Sequence, residues 1–353
     1  MFCDRPTQAR QLAGLRVTDM GFSRQLSVSL ASYVARQKLR GAKRFPLVLM
    51  LEPSFKCNLA CSGCGRIREY RDILDRTMSL QECIQAVNEA SAPIVSLTGG
   101  EPLIHPQIDQ IVRGIIQDKR FVNLCTNGLL LEESLHKFRP TPYLSFVLHL
   151  DSLAGPHDAF AGRDGVFDKA ISAMRAAKRA GFQVLVNTTI YRATKLQEIV
   201  KLFDLLATIP VDGIMLSPAF SYEAVGGDGF LTREEAIPVF SELHKLRKRH
   251  PFYNTPMYRD FLRGETHLLC TPWSTPTRNP KGWKRPCYLL TDEHVATFRE
   301  LMDGTEWSRY GVGRDTRCAN CMVHCGFEGS ALEKTVRSPA AMCRTLAWNL
   351  SGH

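Results

Sequence analysis

Between Pro46 and Pro218 short apolar strands alternate with amphipathic helices, and that alternation restricts this part of the chain to a parallel sheet covered by helices. Strands are predicted at Leu47–Glu52, Ile94–Thr98, Val122–Cys125, Leu144–Leu150, Gln183–Thr189 and Gly213–Ser217. Among the helices between them, one opens on a capping box, with Ser79 as cap and Glu82 as its partner. Pro106–Lys119 carries Ile108, Ile111, Val112, Ile115 and Ile116 at helical spacing. Asp168–Ala180 runs into Gly181, which suits a left-handed terminus. Six such units fall short of the eight of a closed barrel. The expected fold is therefore α/β, a partial (β/α)6 parallel barrel that stays open.

Two flanking segments lack that rhythm. Residues 1–45 are basic, and Ser23–Arg40 reads as a helix with Leu26, Leu30, Tyr33, Val34 and Leu39 on one side, ended by Gly41 and Pro46. The barrel is expected over 46–230 and a Cys-rich C-terminal extension over 231–353. Thr232 and Glu235 open a helix to about Arg249, after which Pro, Gly, Trp and Cys crowd residues 251–330 and periodicity is poor. A bound metal would help to order such a segment. The longest apolar run, Leu47–Leu51, is far short of the ~20 residues of a membrane span. The start, MFCDRPTQAR, has no apolar signal core, so a cytoplasmic location is expected. Lys and Arg number 45 against 35 Asp and Glu, a surplus that suits a polyanion, an anionic membrane surface or a negatively charged cofactor without choosing among them.

The cysteines choose more narrowly. Twelve in a chain of 353 residues do not make a small secreted disulfide scaffold, and clustered cysteines in reducing surroundings are more often metal ligands. Cys3, Cys83, Cys125 and Cys343 stand alone. Cys57, Cys61 and Cys64 form C-x3-C-x2-C directly after the first predicted strand. Three thiolates cannot by themselves close a four-thiolate zinc site. On a four-iron cluster they leave one iron open, and at the C-terminal end of a parallel barrel an open iron can bind a small molecule. The plainer reading is part of a zinc knuckle completed elsewhere. Thr98-Gly99-Gly100-Glu101-Pro102 follows the second strand; the glycines permit close approach of backbone to a ligand, or simply make a strand-to-helix turn.

Together these motifs resemble the radical S-adenosylmethionine superfamily, which carries C-x3-C-x2-C after its first strand and GGEP after its second. The resemblance implies a [4Fe–4S] cluster on Cys57, Cys61 and Cys64, with S-adenosyl-L-methionine chelated at the open iron and cleaved to a 5′-deoxyadenosyl radical. It places Gly99, Gly100 and Glu101 near the cofactor's ammonium group. It also places Asn127, His149 and Asn187, at the ends of the third, fourth and fifth strands, near its ribose, carboxylate or adenine; each could equally be a satisfied strand-end polar residue. Gly63 departs from the pattern: an aromatic residue often precedes the third cysteine and packs by the adenine, so that packing must come from elsewhere.

Longer strings narrow the likeness. Arg36–Gly41, Leu47–Pro53, Cys57–Gly65, Arg163–Ala170 and Cys318–Gly326 look like the HpnH-like adenosylhopene transferases of hopanoid biosynthesis, over about residues 25–335. That resemblance implies addition of the 5′-deoxyadenosyl radical to the terminal alkene of a triterpene, diploptene, with an electron donor such as flavodoxin or ferredoxin. The radical left behind needs one hydrogen atom, and Cys125, ending the third strand, is the implied donor; its bland alternative is a buried small hydrophobe. Ser62, Arg66 and Asp151-Ser152 differ from that branch, which leaves an altered acceptor open. A membrane-dissolved substrate would suit peripheral contact at the inner face of the membrane through Leu26, Leu30, Tyr33 and Val34 with their basic neighbours, unless that helix simply packs on the barrel. Aromatics at Phe252, Tyr253, Tyr258, Phe261, Trp273 and Trp283 could line an apolar pocket or be core.

Cys270, Cys287, Cys318, Cys321 and Cys325 resemble the auxiliary-cluster domains of some radical enzymes, and allow one further [4Fe–4S] cluster; a structural zinc on four of them fits the Cys318-x2-Cys321 spacing equally. Two other functions fit parts of the sequence. One is hydrogen abstraction on another substrate, as in peptide maturation. The other is a zinc protein bound to nucleic acid; the sequence has no C-x2-C…H-x3-H finger and its basic residues are scattered, so no nucleic acid is expected.

Overall fold

The computed structural model describes residues 21–220, 225, 227 and 229–350. Residues 1–20 of the basic segment, Cys3 among them, lie outside the described residues. Six strands stand where the alternation put them: β1 (Val48–Leu51), β2 (Ile94–Leu97), β3 (Phe121–Thr126), β4 (Leu144–His149), β5 (Gln183–Ile190) and β6 (Gly213–Pro218). Each pairs in parallel with the next in sequence. The helices are α1 (Arg24–Leu39), α2 (Gly65–Glu69), α3 (Leu80–Ala90), α4 (Ile108–Gln117), α5 (Leu131–Ser134), α6 (Ala154–Ala161), α7 (Val166–Arg179), α8 (Leu196–Ala207), α9 (Arg233–Lys245), α10 (Pro256–Leu262), α11 (Phe298–Gly304), α12 (His324–Val336) and α13 (Pro339–Leu350).

The two faces of the sheet differ, and the difference creates the site. Leu49, Leu51, Val95, Leu97, Leu124, Phe146, Leu148, Val184, Val186 and Ile214 are fully buried and share one core with the apolar sides of α3, α4, α7 and α8. Alternate residues point the other way. There Asn123, Cys125, Ser145, His149, Gln183 and Asn187 are only partly covered. Burial of the first face by helices is the main stabilising term; the second face is left free to hold a ligand.

Local chemistry sets the helix ends. The expected capping box of Ser79 with Glu82 forms, and Thr232 with Glu235, expected to open a helix, makes another. α7 begins two residues before the expected Asp168, because Asp158 accepts from the N–H of Gly165 at 2.7 Å and of Phe167 at 2.8 Å. Those bonds satisfy donors that a helix start leaves orphaned. Gly181 takes φ +85° just beyond its end, as expected.

Three expectations need correction. First, the segment after Arg249 is ordered without periodic sequence. β7 (Thr277–Asn279), β8 (Gly282–Pro286) and β9 (Thr291–Val295) extend the same sheet, in order β6-β5-β4-β3-β2-β1-β7-β8-β9. β7 lies parallel to β1, and β7–β8–β9 continue antiparallel, so the sheet crosses the boundary expected at 230. These strands are short and polar, and their partners make them strands rather than intrinsic preference. Second, α1 packs its apolar side on the protein: Leu26 and Val34 are buried, and Leu39, expected beside them, is 88% exposed. The membrane-facing reading of that side is not supported. Third, Phe252, Tyr258, Phe261 and Trp283 are core residues rather than a pocket lining. Among the described residues no helix is long and apolar enough to cross a membrane.

Candidate active site

β1 ends at Leu51, and the chain runs through Glu52–Lys56 into the loop bearing Cys57, Cys61 and Cys64, partly exposed thiols that form no disulfide. The loop is shaped by its own backbone: Leu59 N–H donates to Cys57 Sγ at 3.4 Å, and Cys64 N–H to the Cys61 carbonyl at 3.1 Å. Leu59 packs with Ala161 and Val166, so α6 and the turn into α7 seat the loop from one side. From the other side comes the turn after β2. Gly100 N–H donates to the Ser54 carbonyl at 3.0 Å and Glu101 N–H to the Lys56 carbonyl at 2.8 Å. A Cβ on Gly100 would fall 2.1 Å from the Lys56 carbonyl oxygen, and Gly99 sits at φ +110°. Both glycines are demanded by backbone contact, which is why Thr98–Pro102 reads so clearly.

Glu101 is 2% exposed, and its carboxylate is already engaged. It accepts from Thr126 Oγ1 at 2.9 Å, Asn127 N–H at 2.9 Å and Leu103 N–H at 3.1 Å. Burial pushes its pKa up to about 7 against those three bonds. Its evident work is to tie the end of β3 to the glycine turn. Asn127 continues that tie, donating from Nδ2 to Asn58 Oδ1 inside the cysteine loop at 2.7 Å.

His149 and Asn187 are register partners on β4 and β5. His149 bonds Asp151 Oδ2 through Nε2 at 2.7 Å and lies 3.3 Å through Nδ1 from Asn187 Nδ2. Burial lowers the pKa of His149, but the Asp151 carboxylate outweighs it and the net shift is upward. Asn187 Oδ1 is buried without a hydrogen-bond partner among the described residues. A buried acceptor without a donor costs free energy, so this oxygen is a fitting place for a ligand N–H or O–H. Cys125 lies deeper on the same face, beside Val147 and 3.5 Å from Ser96 Oγ. Burial pushes its thiol up to about 11, so it carries its proton at neutral pH.

Gly63 explains its own departure. A Cβ there would lie 2.6 Å from Cζ of Phe160, the penultimate residue of α6. The Phe160 ring fills the space beside the third cysteine and meets Tyr191 at 5.1 Å between centroids. The Phe160 carbonyl also accepts from Ser62 N–H at 2.9 Å. Sequence reading missed Phe160; the one signal was the small residue at 63.

The residues present fit a cluster and its nucleotide cofactor: three thiols on one loop, a backbone cradle at Gly99–Gly100 and an unsatisfied amide oxygen at Asn187. Burial first, and the neighbouring cysteines and acidic groups next, push Cys57 up to about 11 and Cys61 up to about 12. A bound cation reverses that preference and holds such thiols as thiolates.

The second cysteine group also converges. Cys270, Cys287, Cys318, Cys321 and Cys325 line one cavity with Phe220, Leu289, Leu290, Val312 and Phe327. They arrive from the segment before β7, the end of β8, the turn before α12 and its first turn. Burial is the leading cause of an upward shift at all five thiols, and neighbouring cysteines add to it at Cys270, Cys318, Cys321 and Cys325. Among the described residues no three Cys, His, Asp or Glu side chains are gathered closely enough to hold a single metal ion.

Residues 51–206 match the Radical SAM superfamily. They form a radical SAM domain. Residues 214–345 match a domain of unknown function, DUF3463. The radical SAM superfamily uses a [4Fe–4S] cluster and S-adenosylmethionine. The chain is 30% identical over 165 residues to an AdoMet-dependent heme synthase of Methanosarcina barkeri, covering 45% of this chain and 47% of that one. It is 30% identical over 164 residues to a GTP 3′,8-cyclase of Clostridium perfringens, covering 44% and 50%. The chain thus spans about half the length of these relatives. Solved radical SAM structures share the fold. Streptococcus suis SuiB bound to S-adenosylmethionine has a TM-score of 0.60 at 16% identity, over 88% of this chain and 77% of that one. The enzyme anSMEcpe with bound AdoMet has a TM-score of 0.59 at 17% identity, over 87% and 99%.

Proposed function

We propose that the protein is a radical SAM adenosyl transferase, joining C5′ of the 5′-deoxyadenosyl group to the terminal alkene of a triterpene such as diploptene. The bound cluster and S-adenosylmethionine supply the radical. Cys57, Cys61 and Cys64 hold the cluster, Gly99 and Gly100 let the backbone approach the cofactor, and Asn127, His149 and Asn187 line the strand ends around it. Phe160, backed by Tyr191, stands against the adenine in place of a side chain at 63.

The observation that carries this reading is the placement of Cys125. Its protonated thiol faces the open side of the sheet, beneath the strand ends that bear His149 and Asn187. Addition of a carbon radical to a 1,1-disubstituted alkene forms one C–C bond and leaves a tertiary radical. Cys125 donates its hydrogen atom there and becomes a thiyl. One electron from a flavodoxin- or ferredoxin-type donor and one proton then restore the thiol.

At the C-terminal cavity the reading is a second [4Fe–4S] cluster on four of Cys270, Cys287, Cys318, Cys321 and Cys325. A structural zinc on four of the same thiolates is the alternative, and the iron and zinc content of the reconstituted protein separates the two.

Anaerobically reconstituted protein, incubated with S-adenosylmethionine, a reductant and diploptene, tests the function through mass spectrometry of the lipid extract. Adenosine attached to the triterpene is expected. Free 5′-deoxyadenosine formed in step with a dehydrogenated or cross-linked product would replace this reading with hydrogen abstraction.

A further inference from the structure

Between the two thiol sites lies a buried charge network that none of the preceding chemistry uses. Arg66, two residues after Cys64, is 4% exposed, and Lys284 on β8 is 0% exposed. Both donate to one acceptor, the carbonyl of Tyr288, which follows Cys287: Arg66 through Nη2, and Lys284 through Nζ at 3.0 Å. The Arg66 guanidinium also lies 4.2 Å from the centre of the Tyr288 ring. Two carboxylates balance the cations. Glu52 stands 3.6 Å from Arg66 Nε, and Glu69 stands 3.2 Å from Arg66 Nη1 and 3.0 Å from Lys284 Nζ. One hydrogen bond thus links the two cysteine groups, through Cys64–Gly65–Arg66 on one side and Tyr288–Cys287 on the other.

Stability alone gives a weak reason for such an arrangement. Burying two ion pairs costs desolvation that their attraction barely offsets, and apolar residues of similar size would serve as well. The cations are also placed asymmetrically: both donate to the carbonyl of Tyr288, the residue after Cys287, whereas Glu52 and Glu69 face the cations themselves. Leu290 N–H donates to Cys287 Sγ at 3.4 Å. Net charge and hydrogen bonds at ligand sulfurs are what set the potential of an iron–sulfur cluster.

We propose that Arg66 and Lys284 are positioning residues that raise the reduction potential of the C-terminal cluster and bind it, through the Tyr288 carbonyl, to the loop carrying the first. The proposal rests on the reading that the C-terminal cysteines hold iron and sulfur. Positive charge beside Cys287 stabilises the form with one more electron, so that this cluster takes up an electron more readily and holds it next to the first site. Glu52 and Glu69 pair with the cations and let them stay buried, while the bonds both cations donate end on the Tyr288 carbonyl beside Cys287, so the charge felt there is local.

The test is an EPR-monitored redox titration of full-length reconstituted protein in which Cys57, Cys61 and Cys64 are changed to Ala, so that only the C-terminal signal remains. Into this background go two charge-balanced pairs, Arg66→Gln with Glu52→Gln and Lys284→Gln with Glu69→Gln, and the conservative Arg66→Lys. Each balanced pair should keep about four irons per chain and shift the midpoint to more negative potential, while Arg66→Lys should stay near the parent. An unchanged midpoint in both pairs at full iron content overturns the proposal, as does an Arg66→Lys shift as large as that of the neutral pair. Should the parent background bind zinc or no metal, the reading of the C-terminal site itself fails and takes the proposal with it; the iron and zinc content separates the two failures.

Discussion

The ring of Phe160 occupies the space that a side chain on Gly63 would need, with only 2.6 Å between its Cζ and an ideal Cβ at 63. The two positions are alternatives: one ring fits beside the third cysteine, carried either by the loop or by α6. Gly63→Phe alone should overpack the site, at a cost of about 1–3 kcal/mol, and weaken S-adenosylmethionine binding. Gly63→Phe with Phe160→Ala should recover affinity for the nucleotide in equilibrium dialysis of the cluster-loaded protein. No recovery in the double variant would mean that Phe160 does something other than fill that space.

Gly100→Ala places a methyl group 2.1 Å from the Lys56 carbonyl oxygen and 2.6 Å from that of Phe55, both backbone atoms that no rotamer change can move. The cysteine loop must shift, and iron content after reconstitution should fall at least severalfold while far-ultraviolet circular dichroism keeps its shape. Gly155→Ala, with nothing within 4 Å of its Cβ, is the control and should load iron normally.

Cys125→Ala removes the proposed hydrogen donor and little volume. Its expected effect is chemical: product yield should drop by about 10-fold or more, and deuterium from solvent, delivered in the parent through the exchangeable thiol, should no longer mark the quenched carbon. Unchanged yield and labelling would leave Cys125 as packing only.

Cys318→Ser with Cys321→Ser should lower iron from about eight to about four per chain while the three loop cysteines keep their cluster. It should also lower the melting temperature, because the cavity wall is assembled from four separate segments. Loss of one zinc instead of iron in this variant would assign the site to zinc.

Glu328 supplies a pH signature. Burial pushes it up to about 7 from its ordinary 4.5, opposed by Thr255, whose hydroxyl donates to it at 2.6 Å. Between those two values the folded protein keeps a proton that the unfolded chain loses, so this group's contribution to stability falls as pH rises through that window and levels off above it. Urea melts at several pH values should show a shallower decline over the window in Glu328→Gln. A slope unchanged by the substitution would place the proton elsewhere.

Much of the barrel is legible because each helix–strand unit solves a local problem. The apolar spacing in Ile108–Ile116 can bury only one side of a helix, and Ser79 and Glu82 settle where another begins. The loop cysteines and Gly99–Gly100 are legible for a related reason: their chemistry depends on spacing along a few residues and on backbone that no side chain can crowd. The strands after Arg249 are not, because Thr277–Asn279 becomes a strand only when the edge of β1 offers it hydrogen bonds.

The linear order of residues was enough to specify a parallel open barrel, a three-thiol loop after its first strand and a second collection of cysteines, since all three follow from periodicity and short-range spacing. Folding in three dimensions was needed to bring Cys270, Cys287, Cys318, Cys321 and Cys325 to one cavity, to set Phe160 against Gly63, and to join Arg66 to Tyr288 across 222 positions. Contacts at that separation are selected by how the whole sheet packs, so no window of neighbouring residues contains the information that specifies them.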